Sequence, residues 1–295
     1  MFCGNNSSSS FGRSRGHAAG VVRFQPPTAA NTAIQGLSLA AIRRGSLIRH
    51  LTAPRLAERL YAANSWPVSA EWARRFAAPD YLAGILGLEP GRPAAKAVAR
   101  RWGEIALGPA HWWSWESASA PGNILRFKVY LSPTLVGLGP AWRAAIPILI
   151  ESGCPAFKIG GTLEQLLRPD KWVAYFFDHR DQLRAAAALA KALQGLPAQG
   201  VPFTASVDRS AMVSWAVDPP IDAKERVGSH DSWRSWLTAR LARYLVAGRK
   251  GSETAQTSLQ LALGRLRRDG VDVERWVRAD SHWLAAPNGG GIRTG

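Results

Sequence analysis

The stretch Ile124-Leu125-Arg126-Phe127-Lys128-Val129-Tyr130-Leu131-Ser132-Pro133 sets Phe127, Val129 and Leu131 on one parity and Arg126, Lys128 and Tyr130 on the other. Apolar and polar positions repeating every two residues read as a β-strand with one buried face. Pro133 closes it, because a proline has no N–H to give to a ladder. Lys128 and Tyr130, two residues apart, are expected on the same face.

Downstream of this strand, elements alternate. A helix fits Ala141–Glu151, and a short strand, Ala156–Ile159, ends at Gly160 and Gly161. A helical turn over Leu163–Leu167 leads to a strand at Lys171–Phe176. Asp178, with Asp181 three residues on, reads as the cap of a helix running to Leu193. Strand-like pieces at Pro202–Val207 and Ala211–Val217 follow, and Pro219-Pro220 ends the section. The pattern predicts an α+β unit over 123–225, with a small, mostly antiparallel or mixed sheet and packed helices.

Both flanks read as helical. Leu56, Leu60 and Tyr61, then Trp72, Phe76 and Ala77, then Ala97, Val98 and Trp102 fall on helix faces within 37–122, punctuated by Pro67, Pro79, Pro90 and Pro93. Gly108–Gly122 reads as a loop carrying Trp112, Trp113 and Trp115. Within 226–286, Trp233, Trp236, Leu237, Leu241, Tyr244 and Leu245 make one apolar stripe, and Leu259, Leu261, Leu263 and Leu266 belong to a helix ending near Gly270. Residues 1–36 are rich in Ser, Gly, Asn and Ala and are expected to be a disordered extension, as is the Gly-rich tail 287–295.

The 295 residues carry a net charge of +16, with a pI near 10.9, which favours an anionic partner. Seven arginines precede the first acidic residue, Glu58, leaving +9 for the remainder. Such an acid-poor, Arg- and Ser-rich start also resembles organelle transit peptides. A secretory signal is not expected and no run of 18 apolar residues occurs, so a cytoplasmic location away from membranes is expected. Cys3 and Cys154 make neither a disulfide framework nor a Cys-x-x-Cys zinc site. Phosphate-binding Gly-rich loops and a Gly-x-Ser-x-Gly elbow are absent, and the six histidines are scattered.

Of the 37 basic residues only seven are lysines, yet Lys128, Lys158 and Lys171 lie in or at the start of the three clearest strands. An unpaired ammonium is costly in a core strand. Unlike Arg, a lysine that is desolvated or set among cations can lose its proton and act as a base. Strand-end lysines also snorkel to solvent, and Tyr130 taken alone reads more readily as a core aromatic than as an acid. With Arg168, just before Lys171, these residues outline a cationic pocket suited to a phosphate.

Phe127-Lys128-Val129-Tyr130-Leu131-Ser132 resembles the Lys-x-His-Val-Ser strand of the phosphothreonine lyases. That superfamily includes type III secreted effector lyases and the lyase domains of class III and IV lanthipeptide synthetases. Phe157-Lys158-Ile159 resembles their Phe-Lys-Val strand, and Arg168 to Tyr175 the following strand that ends in Tyr. Pro202-Phe203-Thr204, followed by Trp215 to Asp218-Pro219, looks closer still to the stand-alone effector-like lyases of class V lanthipeptide and thioamide-peptide pathways. The resemblance covers residues 124–220.

It implies a phosphoserine/phosphothreonine lyase of bacterial ribosomal peptide maturation, acting by β-elimination to give dehydroamino acids. Lys158 would be the base and Tyr130 the acid. Lys128, Arg168 and Lys171 would bind the phosphate. Trp112, Trp113 and Trp115, with Thr204, would line the peptide groove, although the tryptophans also read as a flap packed on the core. No metal or organic cofactor is implied; the partners would be a phosphorylated precursor peptide and a kinase-like protein. One departure stands out: the effector and synthetase lyases have His where this chain has Tyr130. Either Tyr serves as the acid, with His179 or His111 as replacements, or elimination has been lost. The alternatives are a non-catalytic peptide- or phosphopeptide-binding protein and a nucleic-acid-binding protein. The latter is disfavoured because the arginines are spread over many segments and no known module appears.

Overall fold

The computed structural model describes residues 32–78, 80–103, 106–107, 112–118, 125–219, 232–249 and 255–279. Of the extension expected over 1–36, residues 1–31 lie outside them, as do His111 and the tail from 287; residues 33–36 are instead the first turn of a helix, anchored by the fully buried Ile34. The architecture is α+β. Its sheet is built from β1 (Ala106–Leu107), β2 (Trp112–Glu116), β3 (Phe127–Leu131), β4 (Ala156–Gly160), β5 (Trp172–Phe176), β6 (Ala205–Ser206) and β7 (Val213–Val217). The spatial order is β1-β2-β4-β5-β3-β7-β6, and every pair is antiparallel.

Two readings of local structure change. The loop expected over Gly108–Gly122 contains β2, whose five residues pair in full with β4. Tryptophan favours a pleated, half-buried surface, and Trp115 stacks on Phe157 of β4 at 4.7 Å. The strand expected over Pro202–Val207 contracts to two residues, because Phe203 takes φ +66° and breaks the extended run.

Strand alternation gives the sheet two different faces. One carries Phe127, Val129, Leu131, Phe157, Ile159, Trp172, Ala174 and Phe176, and it packs beneath α6 (Leu138–Glu151) and α8 (His179–Ala192). Trp142 of α6 meets Trp172, Trp115 and Phe157 at 5.2–5.8 Å between ring centres. Burying each such ring contributes roughly 1.5–3 kcal/mol. The helices α3 (Ala70–Phe76), α4 (Tyr81–Leu86) and α5 (Pro93–Trp102) extend this side, with Leu82, Leu86, Val98 and Trp102 in the same core. Asp178 caps α8 by accepting from the Asp181 N–H at 2.8 Å. The Gln182 amide donates to the carbonyls of Lys128 and Ala216, at 2.8 Å each, and so fixes α8 across β3 and β7.

Over the other face lie α1 (Ala33–Leu47), α2 (Ala53–Tyr61), α9 (Trp233–Arg249) and α10 (Ala255–Arg268), sharing a second apolar core. The sheet residues buried in that core, Tyr130, Val173 and Ala216, come from β3, β5 and β7. None comes from β2 or β4, so the helical layer covers only part of this face. A short hairpin of β8 (Val271–Asp272) and β9 (Val277–Arg278), which no sequence periodicity announces, follows α10. Among the described residues no helix is long and apolar enough to cross a membrane.

Candidate active site

Register brings the chemistry-bearing side chains together on the partly covered face. Lys128 pairs with Tyr175 across β3 and β5, and Tyr130 with Val173. Val173 pairs with Lys158 across β5 and β4; Lys158 pairs with Ser114, and Gly160 with Trp112, across β4 and β2. Directly opposed residues share a face. Lys128, Tyr130, Tyr175, Lys158, Ser114 and Trp112 therefore project to one side. Lys158 and Tyr130 lie two strands apart, roughly 10 Å along the sheet.

The link from β4 to β5 supplies the next members. Gly160 lets α7 (Leu163–Leu166) fold tightly against the strand end, since a Cβ there would sit 2.6 Å from the Gln165 Cβ. Thr162 and Gln165 form a reciprocal capping box at the start of α7. The chain then presents Arg168, which makes a two-pronged bond to Asp170 with both distances 3.0 Å. Asp170 also accepts from Arg234 of α9 at 2.8 Å and from the Tyr61 hydroxyl at the end of α2 at 3.0 Å. Arg234 is fully buried, and its remaining donors reach the carbonyls of Pro202 and Tyr61. A buried ion pair persists only when its donors and acceptors are met in this way. Burial would raise the Asp170 carboxyl, but Arg234 and Arg168 outweigh it and hold it well below the usual carboxylate range.

Rings and cations alternate along the wall. Arg234 lies 4.4 Å and Arg168 5.6 Å from the centre of the Tyr61 ring. The Trp112 ring is 5.7 Å from Arg168 and 4.7 Å from the Lys158 amine. Lys128 is ion-paired with Asp218, just past the end of β7, and lies 5.5 Å from the Tyr175 ring. Asp218 in turn accepts from the Trp233 N–H at the start of α9. Lys158 is partly buried and has no hydrogen bond or ion pair among the described residues. Burial first, then the charges of Lys128 and Arg168, push its pKa below the ordinary lysine value, against the opposing pull of Asp170 and Asp218.

The expected site residues divide. Lys128, Arg168 and Trp112 gather near the Lys158 amine on the partly covered face and outline the candidate pocket. Tyr130 shares their face, but its ring is almost fully buried in the second apolar core, and burial followed by the Asp218 charge raises its pKa well above the phenol value. Lys171 does not reach the pocket. It is fully buried, and its amine donates to the Pro133 carbonyl, at 2.9 Å, and to the Gln199 side-chain oxygen. Trp113 and Trp115 belong to the opposite face by strand parity and pack in the first core, so they line no groove beside Lys158. Thr204 is fully buried and spends its hydroxyl on the Val201 carbonyl and Ser214. His179 lies on α8 beside Trp215 and Phe127, on the far face.

Five members were not singled out from the sequence as site residues: Tyr61, Asp170, Tyr175, Asp218 and Arg234. The available signals were an acid adjacent to a basic strand start at Asp170, and an arginine inside the apolar stripe of α9 at Arg234. Among the described residues no three His, Cys, Asp or Glu side chains gather to hold a metal.

Neither a protein-family model nor a curated protein matches the chain. Among solved structures it is similar to an effector protein from Pseudomonas syringae pv. tomato strain DC3000, with a TM-score of 0.48, 13% identity, and 84% of this chain and 98% of that one covered. It is also similar to an effector protein from Pseudomonas syringae pv. syringae strain 61, with a TM-score of 0.45, 13% identity, and 86% and 99% covered.

Proposed function

We propose that this pocket eliminates phosphate from phosphoserine or phosphothreonine in a peptide, leaving dehydroalanine or dehydrobutyrine. The observation that carries the reading is Lys158: a partly buried amine without a hydrogen-bond partner among the described residues, flanked by Lys128 and Arg168. Neutral Lys158 takes the α-proton. The C–H electron pair becomes the Cα–Cβ double bond, the Cβ–O bond breaks, and phosphate departs with its electrons. Arg168, two-fifths exposed and already oriented by Asp170, offers a guanidinium to the phosphate oxygens. Lys128 is the second cation, released from Asp218 as phosphate takes its place. These fixed charges favour the charge that builds up on the leaving group.

The departing phosphate oxygen is basic and takes a proton. Tyr130, on the same face of the sheet, is the proposed donor: its hydroxyl has no hydrogen-bond partner among the described residues. Trp112 forms the wall against which the peptide lies. The test is mass spectrometry of phosphoserine and phosphothreonine peptides incubated with the protein. Loss of phosphoric acid, leaving a product that captures a thiol, is expected. Peptides that bind with unchanged mass would leave the pocket as a phosphopeptide-recognition site without chemistry.

A further inference from the structure

Away from the pocket, α1 and α2 enclose an open cavity of about 270 Å³. Ala41, Ile48, Leu56 and Leu60 make its apolar floor, and the exposed Arg44 and Arg59 stand at its rim. No Asp or Glu lines it, and neither arginine has an ion pair or hydrogen bond among the described residues. The volume falls just below the roughly 300–1,000 Å³ of cavities that engulf a small molecule. It suits a few apolar side chains from a segment lying across its mouth, with acidic neighbours meeting the two guanidinium groups.

Position gives this groove a purpose. Arg59 and Leu60 line it, and the next residue, Tyr61, bonds Asp170 at the pocket. One helix, roughly 10–12 Å across, thus separates groove from pocket. Roughly three to four extended residues span that distance.

We propose that the groove between α1 and α2 docks an acidic, apolar stretch of the substrate peptide, so that a phosphorylated residue a few positions away reaches Lys158. The role of the docked peptide as substrate rests on the elimination reading; the docking itself does not. Tethering raises the effective concentration of the reacting residue at the pocket without any new contact there.

The test uses the full chain and a fluorescein-labelled, unphosphorylated 16-residue peptide with Leu at i, i+3, i+4 and i+7 and Glu at the outward positions. Anisotropy should show saturable binding that weakens with salt, whereas the same peptide with Lys for Glu should not bind. Reversing both rim charges (R44E with R59E) should weaken binding at least tenfold. Ala62→Trp, which adds a ring at the mouth from an exposed position without changing charge, should do the same. Reversing the exposed pair on α10 (R267E with R268E) should change nothing. Equal loss in that control, or full binding by Ala62→Trp, would overturn the proposal. So would a dimer that Ala62→Trp dissociates, because the groove would then belong to a second copy. With a phosphopeptide carrying the acidic stretch, the rim reversal should raise KM and leave kcat unchanged. If no phosphopeptide reacts while anisotropy behaves as expected, the elimination reading fails and the docking site stands.

Discussion

The Lys158 amine lies 4.7 Å from the centre of the Trp112 ring, with the charges of Lys128 and Arg168 close enough to lower its pKa. A cation–π contact favours the protonated amine, whereas burial and like charge favour the neutral one. Burial, followed by the charge of Lys128, lowers the Lys158 pKa, and the Trp112 ring acts against that lowering. Replacing Lys158 with Ala should therefore abolish turnover, by about 10²–10⁴-fold if it is the base, while phosphopeptide binding weakens only a few-fold. Single-turnover mass spectrometry and anisotropy on the same variant separate the two effects.

The pH–rate profile should rise on its alkaline side as Lys158 loses its proton. Lys128→Met removes a repelling charge and frees Asp218, so the Lys158 pKa rises and the limb moves to higher pH. Asp218→Asn removes an attracting charge, so the limb moves to lower pH; Asn can still accept from the Trp233 N–H at the start of α9. Opposite displacements at saturating substrate are the expected result. Shifts in the same direction would remove Lys158 from the role of base.

Asp170 holds Arg168, Arg234 and Tyr61 at once. Asp170→Asn leaves Arg234 buried without a counter-charge, which should cost about 3–5 kcal/mol of stability. The Asp170 carboxyl is depressed in the folded chain. Its contribution is complete above the unfolded value of about 3.9 and is lost as pH falls toward the folded value. Urea titrations at pH 7 and near pH 3.5 should show this acid loss in the natural chain and a smaller one in the variant.

Lys171 offers a linkage of the same sense in an alkaline window. Its two hydrogen-bond acceptors, Pro133 and Gln199, match the two N–H groups of a neutral amine, and burial lowers its pKa to about 7, with Asp170 opposing. Between about pH 7 and the unfolded value of about 10.4, the unfolded chain binds a proton that the folded chain does not. Stability should therefore rise with pH across that window. Lys171→Met should flatten the rise, as followed by denaturant midpoints at pH 7, 8.5 and 10.

Much of this arrangement was legible before the structure. The period of two in Phe127–Leu131 fixed which side Lys128 and Tyr130 take, and the same rule aligned Lys158 with them once strand pairing was known. Parity could not show that the Lys171 amine, expected to bind phosphate, is sealed in by Gln199 and Pro133. β2 escaped notice because Trp112-Trp113-Ser114-Trp115 offers no polar alternation beyond Ser114. Placing its tryptophans required the pairing with β4, which separates Trp112 from Trp113 and Trp115. The Asp170 hub joins residues 64 and 109 positions apart in the chain, and no local pattern carries such a contact.

The unequal roofing of the sheet has an evolutionary consequence. Lys158, Ser114 and Trp112 lie on strands that give no residue to the second apolar core among the described residues, so, on the proposed reading, exchanging them would alter which anion is handled while that core is left alone. Such a scaffold can be retooled for a different leaving group, or stripped of reactivity altogether, in a few steps and without losing its shape.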